Sequence, residues 1–259
     1  MSHLMQDSRE RFGDRVEVYR RHRPGWPAML AGLLREQGVL RELSVVADIG
    51  SGTGLSCRPF LLVGHEVRAV EPNAGMRHAA ESLLGSRPSF RSLPGSAEAT
   101  GLADHSVDLV VAGQAFHWFD LEASRKEFQR ILKPPAPVLL MWNLRDTTST
   151  PFDRDYELFL EHWGIDYGAV REHHPTDDVL RDFMGRQRIL RYRLPNPQAL
   201  NREGLKGRLA SASYLPGPGH PQHASMQDAA GQLFDAHQQS GLVTLSQHCE
   251  LFLGNLNDF

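Results

Sequence analysis

Apolar positions change their period twice along the chain. From residue 7 to 40 they recur at helical spacing: Leu30, Leu33 and Leu34 stand three and four apart, and Gly38 offers a stop. Pro24 and Pro27 fall ahead of these leucines, where a first helical turn tolerates proline. Short apolar runs then replace the helical period. Residues 44–49, 66–71, 90–94, 107–112 and 137–143 read as strands, and 55–63, 73–84 and 121–132 as helices between them. Strands and helices that alternate in this way predict a parallel sheet covered on both faces. Beyond residue 145 the pattern loosens. Helices are predicted at 151–163, 177–184, 200–210 and 222–240, and strands at 188–194 and 243–252. The expected organisation is a helical cap over 1–40, an α/β core over 41–146, and a helical lid over 147–259 that also carries the last two strands. All three form one integrated domain.

Composition narrows the class. The 259 residues are 41% hydrophobic and 23% charged with a net charge of −3, which suits a folded chain rather than a disordered one. The charge gives no basic excess for nucleic acid. No apolar run approaches the ~20 residues of a membrane span. The first 26 residues carry charges and no apolar h-region, so no secretory signal is expected and the expected location is cytoplasmic. Cys57 and Cys249 are too few for a disulfide framework or a cysteine-rich zinc module. His173 and His174 are adjacent, and His220 and His223 flank a proline-rich loop without acidic neighbours, so no metal is expected.

The strongest local signal is Asp48-Ile49-Gly50-Ser51-Gly52-Thr53-Gly54, which follows a predicted buried strand and precedes a helix. Glycines there let the backbone turn and approach a ligand. The spacing departs from the G-x-G-x-x-G of dinucleotide sites, because Leu55 stands where that pattern wants glycine. Asp48 would repel a pyrophosphate and suits an ammonium group. Glu71 ends the next strand, where a carboxylate can accept both hydroxyls of a ribose. Together they predict a nucleoside across the carboxyl edge of the sheet; a ligand-free tight turn and a solvated strand-end acid are the alternatives.

Val45–Ser56 with Glu71 resembles the first two motifs of class I S-adenosylmethionine (AdoMet)-dependent methyltransferases. Gly95-Ser96-Ala97-Glu98, Ser106–Val111 and Arg130-Ile131-Leu132-Lys133-Pro134 resemble the motifs that follow in the same order. The resemblance implies a Rossmann-like fold with a mostly parallel seven-stranded sheet and helices on both faces. It implies AdoMet as cofactor, held by Asp48, Gly50, Ser51, Gly52, Gly54, Glu71, Pro72, Asn73, Met76, Ser96, Ala97, Glu98 and Gln114. Pro135-Ala136-Pro137 departs from the family's usual glycine pair, and since proline cannot take positive φ that turn must differ in shape.

Two further stretches resemble a small-molecule branch close to trans-aconitate methyltransferases: Tyr19-x-x-x-Arg23-Pro24-x-Trp26-Pro27, and Gln114–Asp120 after the fourth strand. On that resemblance Tyr19 and Arg23 close over AdoMet, or else form a helix cap held by surface ion pairs. His117 is the candidate general base, or packs beside Trp118 and Phe119. Trp118 and Phe119 wall a substrate pocket or belong to the core. Arg145 pairs a substrate carboxylate, or makes a salt bridge with Asp146 or Asp153. The expected activity is methyl transfer to a small organic acceptor, with a carboxylate as one candidate. An AdoMet-binding protein without turnover and a nicotinamide oxidoreductase are the rivals. The oligomeric state is left open.

Overall fold

The computed structural model describes residues 22–165, 167–168, 175–185 and 189–256. These divide into two compact units. One is drawn from 25–143, 175–194 and the stretch after 248; the other from the stretch before 25, from 144–174 and from 195–248.

The first unit is built on a seven-stranded sheet in the order β3-β2-β1-β4-β5-β9-β6. Its strands are β1 (Val45–Ile49), β2 (Glu66–Val70), β3 (Phe90–Leu93), β4 (Leu109–Gly113), β5 (Pro137–Arg145), β6 (Leu190–Pro195) and β9 (Gln247–Asn255). β1 pairs in parallel with β2 and β4, β2 with β3, and β4 with β5. The chain therefore leaves β1 toward one edge and returns to β4 on its other side. That reversal opens a crevice beyond the carboxyl ends of β1 and β4, where open α/β sheets bind ligands.

Alternate strand residues serve the two faces of the sheet. Leu139 and Met141 pack with Leu30 and Leu34 of α1 (Leu30–Glu36) and with Phe60 of α2 (Arg58–Leu62). Trp142, the residue after Met141 and on the opposite face, meets Phe116 edge-on at 6.2 Å and Phe252 at 5.7 Å. Phe116 in turn meets Phe183 of α6 (Asp177–Met184) at 4.7 Å. Full burial of such a ring contributes roughly 1.5–3 kcal/mol. Helix starts follow sequence chemistry. Asn73 accepts from Met76 N at 3.0 Å to cap α3 (Ala74–Leu84), and Asp120 accepts from Ala123 N at 3.0 Å to cap α4 (Leu121–Ile131).

The second unit packs α5 (Pro151–Trp163), α7 (Arg202–Ala210) and α8 (His223–His237) on a two-stranded sheet of β7 (Gln198–Leu200) and β8 (Val243–Leu245). Phe152, Tyr156, Phe159 and Leu160 form the buried face of α5, against Leu205, Leu209, Met226 and Phe234. Thr150 and Asp153 close a reciprocal capping box at the start of α5.

Most predicted elements are found, with three corrections. The helix predicted over 7–40 is helical at Leu30–Glu36; residues 7–21 lie outside the described set, and Pro24 and Pro27 hold the approach to α1 out of helix. Gly38, at φ +71°, ends it as predicted. The helix predicted from residue 200 starts at Arg202, because 198–200 form β7 and Asn201 caps the helix by accepting from Gly204 N at 2.8 Å. The strand predicted over 243–252 is two strands in different sheets. Ser246 breaks it: its N–H donates to Asp153 Oδ1 at 2.9 Å and its carbonyl accepts from Asp146 N at 2.9 Å. At Pro135-Ala136-Pro137 the positive φ, +57°, is taken by Ala136, and the turn closes with Ala136 N donating to Lys133 O at 2.9 Å.

Candidate active site

The loop after β1 is tied to β2 before any ligand is considered. Gly50 N and Ser51 N both donate to Val70 O, at 2.9 and 3.2 Å, and Gly54 N donates to Ser51 O at 2.9 Å. Its glycines answer to different constraints. At Gly50, φ is +67° and a Cβ would lie 2.6 Å from the Ala115 Cβ, so sterics alone require glycine. At Gly52, φ is +54° and nothing stands within 4 Å of a Cβ. The crest of the loop is open space bounded by backbone N–H.

Two carboxylates lie under and beside this crest. Glu71, mostly buried, bridges the loops after β1 and β2: Oε2 accepts from Gly52 N at 3.0 Å and Oε1 from Asn73 N at 2.8 Å. Burial raises its pKa against the lowering by these two bonds. A carboxylate has about four acceptor positions, so each oxygen keeps one after these bonds. Asp48 is fully buried. Its Oδ2 accepts from Ser56 Oγ at 2.6 Å and Cys57 Sγ at 3.0 Å, while Oδ1 is buried without a hydrogen-bond partner. Burial pushes its pKa up to about 6 against the lowering by Ser56 and Cys57, and Glu71 adds to the rise. Asp48 thus faces inward and acts on the loop through its charge.

The other expected cofactor residues line the same edge. Pro72 is exposed, and its carbonyl accepts from Arg77 Nη1 at 2.8 Å. Met76 is buried on α3. Ser96 N donates to Ala99 O at 3.1 Å, and Ala97 is buried beside it. Glu98 accepts from Asp120 N at 2.9 Å, which joins the loop after β3 to the start of α4. Gln114 takes φ +54° directly after β4, and its N–H donates to Met141 O at 2.9 Å. His117 and Trp118 belong to a short 3-10 turn, Phe116–Trp118; His117 is half-buried and its ring lies 4.8 Å from the indole of Trp118. Trp118 is 44% exposed. Phe119 meets Phe116 at 6.0 Å and Phe128 at 6.1 Å, and its ring would be 3.6 Å from a Cβ on Gly50, so it supports the glycine loop from the core side.

Tyr19 lies outside the described residues. Arg23 and Arg145 belong to the second unit. Arg23 Nη2 donates to Ser211 O at 3.2 Å, and the neighbouring His22 is seated on Gly207, where a Cβ would meet its ring at 2.4 Å. Arg145 Nη2 donates to Tyr167 Oη at 2.5 Å and reaches Glu157 Oε2 at 3.5 Å, while Tyr167 Oη donates to Glu157 Oε1 at 2.6 Å. Glu157 therefore takes the place expected of Asp146 or Asp153. Asp153 is committed to the α5 cap, and Asp146 lies 3.0 Å from His248 Nδ1. Sequence reasoning missed Glu157, Tyr167 and Arg208, because no linear motif joins α5, residue 167 and α7. Among the described residues no group of three His, Cys, Asp or Glu is placed to hold a metal ion, and no helix is long and apolar enough to cross a membrane.

Comparison with known proteins fits this geometry. Residues 47–140 match the family model described as a methyltransferase domain. An uncharacterized methyltransferase of Schizosaccharomyces pombe is 36% identical over 134 residues, 51% of this chain and 52% of its own length. An uncharacterized methyltransferase of Mycobacterium bovis is 36% identical over 135 residues, 52% of this chain and 53% of its own. The chain thus spans about half the length of the curated relatives it matches. A solved protein of Anaeromyxobacter dehalogenans, assigned as a type II methyltransferase, superposes with a TM-score of 0.67 at 19% identity over 92% of this chain and 99% of its own. A phosphoethanolamine N-methyltransferase of Haemonchus contortus, solved with S-adenosylhomocysteine, gives 0.55 at 15% identity over 94% and 57%. The chain shares the Rossmann-like fold of these solved proteins, and the segment 47–140, which holds the glycine loop and Glu71, is the stretch that matches the methyltransferase-domain model.

Proposed function

We propose that the protein transfers a methyl group from AdoMet to a small organic acceptor that carries a carboxylate. The observation that carries this reading is Glu71, clamped between Gly52 N and Asn73 N at the carboxyl edge of β1 and β2 with acceptor capacity left on both oxygens. The residues fit AdoMet. Gly52 leaves open space for a ligand at the loop crest. Glu71 suits a ribose diol. The negative charge of Asp48 and Glu71 suits an ammonium and a sulfonium, and opposes a pyrophosphate.

When bound, AdoMet supplies an electrophilic methyl on a sulfonium whose charge disappears as the methyl leaves. The protein's task is to hold donor and acceptor in line and exclude water. The glycine loop supplies backbone N–H and close approach, with Phe119 behind it; Glu71 orients the ribose; Ser96, Ala97 and Glu98 bound the adenine side; Gln114 and Trp118 bound the acceptor side. A carboxylate acceptor has no proton to lose, so His117 positions the turn rather than removing a proton. The Yersinia pestis relative, 34% identical over 96 residues, is a malonyl-[acyl-carrier protein] O-methyltransferase, which supports an acidic acceptor.

Calorimetry with AdoMet and with NADH, followed by labelled-methyl transfer against a pool of organic acids, tests the proposal. AdoMet binding with label incorporated is expected. AdoMet binding without transfer to any acid would leave a binding protein, and NADH binding in its place would overturn the cofactor.

A further inference from the structure

The second unit buries a guanidinium that no described carboxylate neutralises. Arg208 on α7 is 5% exposed. Its Nε is buried without a hydrogen-bond partner, and among the described residues no carboxylate pairs with it. The groups whose charge bears on it are Arg23, Tyr156, Tyr214 and Arg145. Burial, with Arg23 second, lowers its pKa to about 10, which still leaves it cationic at neutral pH.

Arg145 is engaged on one side only. Its Nη2 meets Tyr167 and Glu157, while its Nε is buried without a partner. Its guanidinium carbon lies 5.9 Å from the ring centre of Tyr156 and 5.8 Å from that of Tyr167. The Glu157 carboxylate is shared between Arg145 and Tyr167, so among the described residues it is not free to pair with Arg208. The tyrosines do not make up the deficit. Burial raises the pKa of Tyr156 and Tyr167, so both stay neutral and can donate. An uncompensated guanidinium in such a place costs several kcal/mol, and a core built for stability alone would hold apolar residues there.

We propose that Arg23, Arg145 and Arg208, with Tyr156 and Tyr214, form a binding site for a small organic carboxylate. Guanidinium forks match a carboxylate in plane, and one anion among these groups would satisfy the Nε donors of Arg145 and Arg208, which the fold leaves unmet. The surrounding aromatic rings give such a site apolar walls, which suits a compact acid. That the bound acid is the methyl acceptor rests on the methyl-transfer reading; the anion site itself does not.

The test uses the full chain. Acetate, succinate and citrate, the neutral analogue succinamide, inorganic phosphate and AdoMet are each titrated by calorimetry and by thermal melting. At least one carboxylate should raise the melting midpoint at up to about 10 mM, as a ligand of the native state does, while succinamide should not. Arg208→Leu should weaken that carboxylate about tenfold or more, yet melt no lower than wild type without ligand, since an unpaired buried charge has gone. Arg208→Lys, which keeps the charge and loses the fork, should weaken binding too, and stands in if the leucine variant does not fold. Three outcomes overturn the proposal: no carboxylate shifts the wild type; phosphate binds about tenfold better than any carboxylate; or Arg208→Leu weakens AdoMet and leaves the carboxylates unchanged, which would make the anion the cofactor's own. Carboxylate binding in a wild type that fails to bind AdoMet would leave this site standing and remove the methyl-transfer reading.

Discussion

The glycine-loop edge of the first unit and the arginine cluster of the second hold opposite charge excesses. At the loop, Asp48 and Glu71 are buried with backbone, hydroxyl and thiol donors, and a single described cation, Arg77, bears on Glu71. In the cluster, Arg208 is buried and Arg145 half-buried, with one carboxylate, Glu157, shared between Arg145 and a tyrosine. In each region the fold carries a cost that a ligand of opposite charge would offset. They differ in how the charge is held. The loop fixes its carboxylates with short-range hydrogen bonds and needs little else; the cluster assembles its cations from separate stretches of chain.

The largest test of the loop separates scaffold from cradle. Gly50→Val adds a branched side chain at φ +67° against the Ala115 Cβ, so overpacking and backbone strain should together cost roughly 2–6 kcal/mol of stability. Gly52→Val meets no atom within 4 Å and pays the strain alone, about 1–3 kcal/mol. Its main effect should be on AdoMet, with affinity down about tenfold or more. Denaturant melts and calorimetry on both variants check this. Unchanged AdoMet affinity in a folded Gly52→Val protein would remove the loop from the site.

Next in size is Glu71. Glu71→Ala leaves Gly52 N and Asn73 N without their acceptor and should lose about 1.5–3 kcal/mol of AdoMet binding. A 2′-deoxy cofactor analogue should bind wild type more weakly and lose little further on the variant. Additive losses in that cycle would show that Glu71 shapes the loop without touching the ribose.

Asp48 sharpens the comparison through pH. Its native pKa, about 6, stands above an ordinary carboxylate's, so the native state binds more protons than the unfolded state between the two values. Its contribution to stability is therefore fully present below pH ~4 and is lost as pH rises through about 6. Asp48→Asn should raise stability at pH 7.5 by up to about 3 kcal/mol and by little at pH 4. If the ligand is cationic, AdoMet affinity of the wild type should rise with pH across the same window, and that of Asp48→Asn should not. A flat wild-type profile would sink the electrostatic role given to Asp48.

The same contrast explains what the sequence disclosed. The loop was legible because its constraint is local: Asp48 to Gly54 is one turn, and Glu71 ends the adjacent strand. The sheet followed, since β1, β4 and β5 are dominated by apolar residues and β2 alternates Val67, Ala69 and Val70 with Glu66 and Arg68. The split at Ser246 was hidden because its cause is long-range, a backbone N–H taken by Asp153 some 93 residues away. The partner of Arg145 was hidden for a similar reason. Asp146 and Asp153 were nearer in sequence, but one is bound to His248 and the other to a helix cap, which left Glu157. Arg208 gave no signal at all, because on a helix an arginine reads as solvent-facing until tertiary packing buries it.

The smallest expected effect joins the chemistry of both regions. His117 stands in the turn after β4, half-buried beside Trp118. If the acceptor is the carboxylate that the arginine cluster would hold, its oxygen attacks as an anion and no proton must be removed. His117→Ala should then lower kcat by less than about tenfold, through a looser turn, and leave the pH profile of kcat unchanged near the histidine range. A hydroxyl or amine acceptor predicts the opposite: loss of a general base costs about 10²–10⁴-fold, and the acid limb of the profile disappears in the variant. The measurement is labelled-methyl transfer across pH for wild type and variant with the same acid. A large loss would make His117 a catalytic base, and the anion in the cluster would then be a handle on the acceptor rather than the group that is methylated.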